Sequence, residues 1–163
     1  QIAKMGVEAS VNPYYLWALA DKYAINGLGK ARAENLVALN SLARRNVTTS
    51  YHSDFAMAPM EPLTLAWTAI NRVTSGNKKV SQDQRVDTYT AMKAITISAA
   101  KTLNLEHKIG SIEAGKTANF TILKQNPFKV EPITIKNIGI LGTVYRGTFY
   151  INKSANLKPV PLS

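Results

Sequence analysis

Apolar and polar residues alternate first along Val7-Glu8-Ala9-Ser10-Val11-Asn12. Val7, Ala9 and Val11 share one face, and the period of two predicts a strand ended by Pro13. Tyr14 to Gly29 is aromatic, then irregular, with Gly27 and Gly29 as turn signals. From residue 30 to 45 the period lengthens. Ala33, Leu36, Leu39 or Asn40, and Ala43 recur at helical spacing. Arg44 and Arg45 suit the helix's negative end, and Asn46 suits a left-handed residue just past it. Val47 to Asp54 predicts a second strand, with Ser50, His52 and Asp54 on one face and Val47, Thr49 and Tyr51 on the other.

Glu61 to Val73 predicts a helix with an apolar stripe of Leu63, Ala66, Trp67, Ile70 and Val73, and Pro62 fits its first turn. Residues 75–79 read as a turn. Ser81 and Gln84 fit a capping box, and Asp87 offers a second N-cap to a helix that ends near Leu105. After Gly110 the pattern becomes β: a run from Asn119 to Leu123, then Ile138–Tyr145 and Thr148–Ile151 around a tight Arg146-Gly147 turn. The tail from Ser154 holds Pro159 and Pro161 and is expected to fray. The element order, strand–helix–strand–helix–helix and then β only, predicts two different structural parts.

At 163 residues, 45% hydrophobic and 18% charged, the chain is globular in composition. It is too short for a whole (β/α)8 barrel, which needs roughly 200 residues or more. The net charge of +10 admits a nucleic-acid partner, but the basic residues are scattered. Arg44-Arg45 and Lys78-Lys79 are the adjacent pairs, so a solvated surface is the stronger reading. No apolar run reaches the length of about 18 residues that a membrane span needs. The absence of cysteine excludes disulfides, thiol catalysis and Cys-ligated zinc, and leaves the compartment open. Gln1-Ile2-Ala3-Lys4 is neither an initiator methionine nor a signal peptide, and is expected to be an interior point of a longer chain.

The chemistry concentrates at the predicted strand ends. Asp54, before a loop closed by Pro59, stands where barrel enzymes keep catalytic groups. The plainer reading is a turn or N-cap aspartate. His52 shares its face, as a pocket residue or a packed or surface histidine. Asn12, Tyr14 and Tyr15 either line a pocket or pack under a loop, Trp67 reads as core, and His107 lies in an exposed polar loop. With two histidines and no cysteine, a self-contained triad or metal site is not expected.

Several segments together resemble the amidohydrolase superfamily. Ile109 to Leu123 is similar to its G-S-(apolar)-x-x-G-K-x-A-D segment, with Asn119 in place of the aspartate. Thr96–Leu105 resembles the preceding helix, and Gly142–Tyr150 the closing hairpin. His52-Ser53-Asp54 with Ala58-Pro59 and Pro62-Leu63 resembles the S-D-x-P…PL stretch of the amidohydrolase-3 branch, which includes YtcJ-like enzymes and proteins described as exoenzyme regulators; Leu28-Gly29 and Arg32-Ala33 fit too. The resemblance covers roughly residues 5 to 152.

It implies an α/β fold with a β appendix: residues 1–105 as the last βα units of a (β/α)8 barrel, with strands seven and eight at Val7–Asn12 and Val47–Asp54. Residues 106–153 would be the C-terminal share of a flanking composite β-sandwich, and 154–163 a tail. It further implies a divalent metal, zinc by preference, with Asp54 as metal-site and catalytic carboxylate. Asn12, Tyr14 and His52 would be substrate-binding candidates. The family's other ligands, an H-x-H pair among them, are not in this chain, so it is expected to be an inactive C-terminal fragment with an incomplete site. The parent would hydrolyse a small-molecule amide-type C–N bond; the alternative is a regulatory or binding protein on the same scaffold. No nucleic-acid or membrane partner is expected, and apolar surface left open would drive self-association.

Overall fold

The computed structural model describes residues 1–152, so the expected tail lies outside the described residues. After a one-turn helix α1 (Ile2–Met5) come strand β1 (Ala9–Val11), helices α2 (Tyr14–Ile25), α3 (Lys30–Glu34) and α4 (Leu39–Ala43), and strand β2 (Thr49–Tyr51). Then follow α5 (Pro62–Asn71), α6 (Thr88–Ala94), α7 (Ile97–Thr102), β3 (Phe120–Leu123), a 3-10 turn at Pro132–Asn137, and β4 (Ile140–Tyr145) and β5 (Thr148–Ile151). β1 and β2 pair in parallel, Ser10 opposite Ser50. β3, β4 and β5 form an antiparallel sheet in that order. The result is an alternating α/β arrangement of the kind two successive barrel units give, with a flanking sheet; the described strands do not close a barrel.

α5 is the centre of the packing. Leu65 to Asn71 are all buried, so the helix is covered on every side and not on one stripe alone. Leu65, Ala66, Trp67, Ala69 and Ile70 join Leu39, Tyr51, Val73, Val86, Ala91, Ala94 and Ile135 in the main core. Each large apolar side chain buried there contributes about 1.5–3 kcal/mol. α5 also grips the second part of the chain through the main chain. Trp67 Nε1 donates to the Ile133 carbonyl at 2.8 Å, and Asn71 Nδ2 donates to that of Pro132 at 2.9 Å. Lys136 Nζ lies 3.8 Å from the centre of the Trp67 ring.

Arg72, in the left-handed conformation at the end of α5, is 1% exposed. Its Nη1 donates to the Val37 carbonyl (2.8 Å), its Nη2 to those of Glu34 (2.8 Å) and Leu36 (3.0 Å), and its Nε to that of Val80 (3.3 Å). Burial pulls its pKa down to about 10, so it stays charged at neutral pH.

That contact explains one departure from the sequence reading. Residues 30–45 form two short helices instead of one, broken where Val37 is left-handed. The carbonyls of Glu34, Leu36 and Val37 are satisfied by Arg72 and need no helical partner. Tyr14–Ile25, read as irregular, is a helix. Its apolar residues wrap the cylinder and leave no clean stripe, while Leu16, Ala18, Leu19 and Ala20 favour helix intrinsically. Ser81 does not cap: it is left-handed, and Gln84 instead accepts from the Ser41 N–H at 3.0 Å. Asp87 does cap, accepting from the Thr90 N–H at 2.6 Å. The helix it opens breaks at Ile95-Thr96, within a run of three β-branched residues, Ile95 to Ile97. Asn46 is left-handed as expected, and Arg146 and Gly147 both have positive φ in the expected hairpin turn.

Arg72→Met keeps an apolar stem but removes the guanidinium from four carbonyls, of which those of Val37 and Val80 keep the Leu39 N–H and Gln82 Nε2 as donors. The expected loss is about 3 kcal/mol in urea unfolding; an unchanged midpoint would show that the carbonyls find other donors.

Candidate functional site

The parallel pairing brings the C-terminal ends of β1 and β2 side by side, the position where α/β folds place ligands. Pairing continues one residue beyond β2, where the His52 N–H donates to the Val11 carbonyl at 3.0 Å. The chain then leaves the sheet. Ser53 and Asp54 are reached from the β1 end by Asn12 of the β1–α2 turn and Tyr15 of the first turn of α2. Asn12 is buried; its Nδ2 donates to the Ser53 carbonyl at 3.1 Å, and its Oδ1 accepts from the Tyr14 N–H at 3.0 Å. Tyr15 Oη donates to Asp54 Oδ2 at 2.6 Å, across 39 residues of sequence. The hydrogen bond to Asp54 raises the Tyr15 pKa above the usual phenol value, so the hydroxyl remains a donor at neutral pH.

Asp54 itself is exposed and left-handed, with φ of 51°. Its carbonyl accepts from the Met57 N–H, which closes the turn after the strand. The strand is shorter than the alternation suggested, so Ser50, His52 and Asp54 do not form one inner face. Ser50 is buried and accepts from the Thr102 hydroxyl of α7 at 3.0 Å, away from the strand ends. His52 is exposed beside the site. Tyr14 packs against the main core with its ring 5.0 Å from that of Trp17. Trp67 is core and His107 is exposed, as read. Of the sequence candidates, Asn12 and Asp54 come together, Tyr14 turns to the core, and Tyr15 joins the site. The signal for Tyr15 was its place one turn beyond Asn12-Pro13 at the start of an unrecognised helix.

A cavity of about 370 Å³ opens elsewhere, between α4, β2 and α6, and Asp54 is not among its lining residues. The chemistry, not the concavity, therefore marks the strand ends. Among the described residues no group of three or more His, Asp or Glu side chains could hold a metal ion. A hydrolytic zinc centre takes three protein donors and a water, so the donor set of this chain does not make one alone. What the arrangement offers is an exposed carboxylate held at Oδ2 by Tyr15, with no hydrogen-bond partner on Oδ1 among the described residues.

The sequence profile of the amidohydrolase family matches residues 1–151. The chain belongs to the amidohydrolase family. Among its relatives, YtcJ of Bacillus subtilis (strain 168) is 26% identical over 155 residues, 93% of this chain and 29% of YtcJ. The N-substituted formamide deformylase of Arthrobacter pascens is 23% identical over 156 residues, 96% of this chain and 29% of the deformylase. An uncharacterized metal-dependent hydrolase from Pyrococcus horikoshii OT3 superposes with a TM-score of 0.65 at 24% identity, over 80% of this chain and 27% of that one, which shows a shared fold. The chain thus spans less than a third of the length of the curated amidohydrolase relatives it matches. No helix among the described residues is long and apolar enough to cross a membrane.

Asn12→Ala removes the bond that ties the β1–α2 turn to Ser53 and the one that its side chain accepts from the Tyr14 N–H. It is expected to cost about 1–3 kcal/mol and to speed amide exchange at Tyr14 selectively; unaltered exchange there would contradict the bracing role.

Proposed function

We propose that the whole protein is a metal-dependent hydrolase of amide-type carbon–nitrogen bonds in small molecules, to which this chain contributes Asp54 as the proton-transferring carboxylate. One observation carries the reading: an exposed carboxylate, held at one oxygen, at the C-terminal ends of two parallel strands in an amidohydrolase chain. The named activity of the Arthrobacter pascens relative supports the bond type, and that of the Pyrococcus horikoshii structure the metal. The 26% identity to YtcJ supports placement in the YtcJ-like part of the family. Residues 1–105 would belong to the barrel and 106–153 to the composite β-sandwich.

Asp54, ionised, takes a proton from the water that attacks the amide carbonyl carbon. The tetrahedral adduct then collapses, Asp54 returns that proton to the departing nitrogen, and the C–N bond breaks. Asn12, bonded to the Ser53 carbonyl, and His52, exposed two residues before Asp54, are proposed to contact substrate. Tyr14, half-buried against the main core, is the third candidate substrate contact. The divalent metal, zinc in this reading, would take its other donors from the rest of the protein. When bound it would supply a more acidic water and a polarised carbonyl.

In the whole protein, Asp54→Asn is expected to lower release of formate from an N-substituted formamide, or of amine from an amide, by about 1000-fold or more, with an unchanged far-ultraviolet spectrum. Turnover within a few-fold of the parent would overturn the catalytic role and favour the scaffold as a binding or regulatory protein. This chain alone is expected to self-associate. Tyr145, Phe149, Tyr150 and Ile151 are each about half exposed on the hairpin at the sheet's edge, and a strictly monomeric mass in solution scattering would contradict that.

A further inference from the structure

We propose that Tyr15 is a positioning residue for Asp54, selecting which of its two carboxylate oxygens faces the reactants. The inference rests on the catalytic reading of Asp54 given above. Tyr15 Oη donates to Oδ2 at 2.6 Å. A donor fixed on Oδ2 lowers the electron density available there and restricts rotation of the carboxyl group. Oδ1 is then left as the oxygen that meets water and leaving group. A hydrogen bond to an ionised acceptor is among the stronger ones, and it is directional.

Three further observations make Tyr15 suited to the task. It sits in the first turn of α2, whose Leu16 and Ala20 are buried, so its backbone is fixed by packing on the opposite side. Buried Pro13 and Asn12 precede it, and Asn12 ties the same turn to Ser53, the neighbour of Asp54. The two anchors act at successive levels: Asn12 fixes the main chain that carries Asp54, and Tyr15 fixes the side chain. Asp54 needs the second anchor because it lies on an exposed turn outside the sheet, where a carboxylate would otherwise sample several rotamers.

The test uses Tyr15→Phe, which removes the hydroxyl alone, with Tyr14→Phe as the control for a neighbouring phenol that does not touch Asp54. In this chain labelled with carbon-13 at aspartate side-chain carboxyls, the Asp54 resonance is identified by its loss in Asp54→Asn. Tyr15→Phe is expected to shift it and Tyr14→Phe to leave it in place. A resonance unmoved by Tyr15→Phe would overturn the contact. In the whole protein, Tyr15→Phe is expected to lower kcat for the same formamide or amide about tenfold, with KM within about twofold and unfolding temperature unchanged. Added to Asp54→Asn it should have no further effect. An unchanged kcat in Tyr15→Phe, or a full additional loss in the double variant, would overturn positioning through Asp54. If instead Asp54→Asn keeps normal turnover, the catalytic reading of Asp54 fails, an outcome that the single Tyr15 variant does not mimic.

Discussion

The structure depends on a buried cation that has no carboxylate within ion-pair distance among the described residues. Arg72 carries its charge into the interior and spends all four observed hydrogen bonds on main-chain carbonyls, from Glu34, Leu36, Val37 and Val80. Removing a charge from water costs several kcal/mol, and hydrogen bonds to a charged group contribute about 1.5–3 kcal/mol each. The bonds offset the cost of burying the charge, and their loss would leave carbonyls short of donors. What the guanidinium adds is geometry: one rigid fork fixes the end of α5, the break between α3 and α4, and the segment after the residue 74–78 turn. α5 in turn packs against Tyr51 of β2 in the main core, and the paired strand ends bring Asn12, Tyr15 and Asp54 to one place.

This also shows why parts of the fold were legible in the chain and parts were not. The hairpin, the Asp87 cap and the Asn46 terminus are local events, decided by residues within a few positions of each other, and the pattern exposed them. The interruption at residues 35–38 is decided by Arg72, 35 to 38 residues beyond the carbonyls it binds, so no local period could reveal it. α2 was hidden for a different reason. A helix apolar on several faces has no contrast for periodicity to detect, and its aromatics resemble a loop's.

The site divides the same way. Asp54 was recognisable from its place after a β run, and Asn12 from its place after another. Their partnership required the parallel register of Ser10 with Ser50, which only the folded chain supplies. His52 and Tyr14 were drawn in by adjacency along the chain. In three dimensions the end of the strand turns Tyr14 inward to Trp17, and the helical step carries the next hydroxyl to Asp54. Ser50, expected to look toward the site, is instead taken up by Thr102.

Several of the brackets that hold this chain together share one property: their acceptors are main-chain oxygens. This holds for Arg72, for Trp67 and Asn71 against residues 132 and 133, and for Asn12 against Ser53. A carbonyl is present whatever side chain follows it. Positions 34, 36, 37, 53, 80, 132 and 133 can therefore change identity over evolutionary time without loosening the brackets, while the burden of constancy falls on a few donors. A lineage built this way can drift to about a quarter identity and still carry its strand ends to the same place.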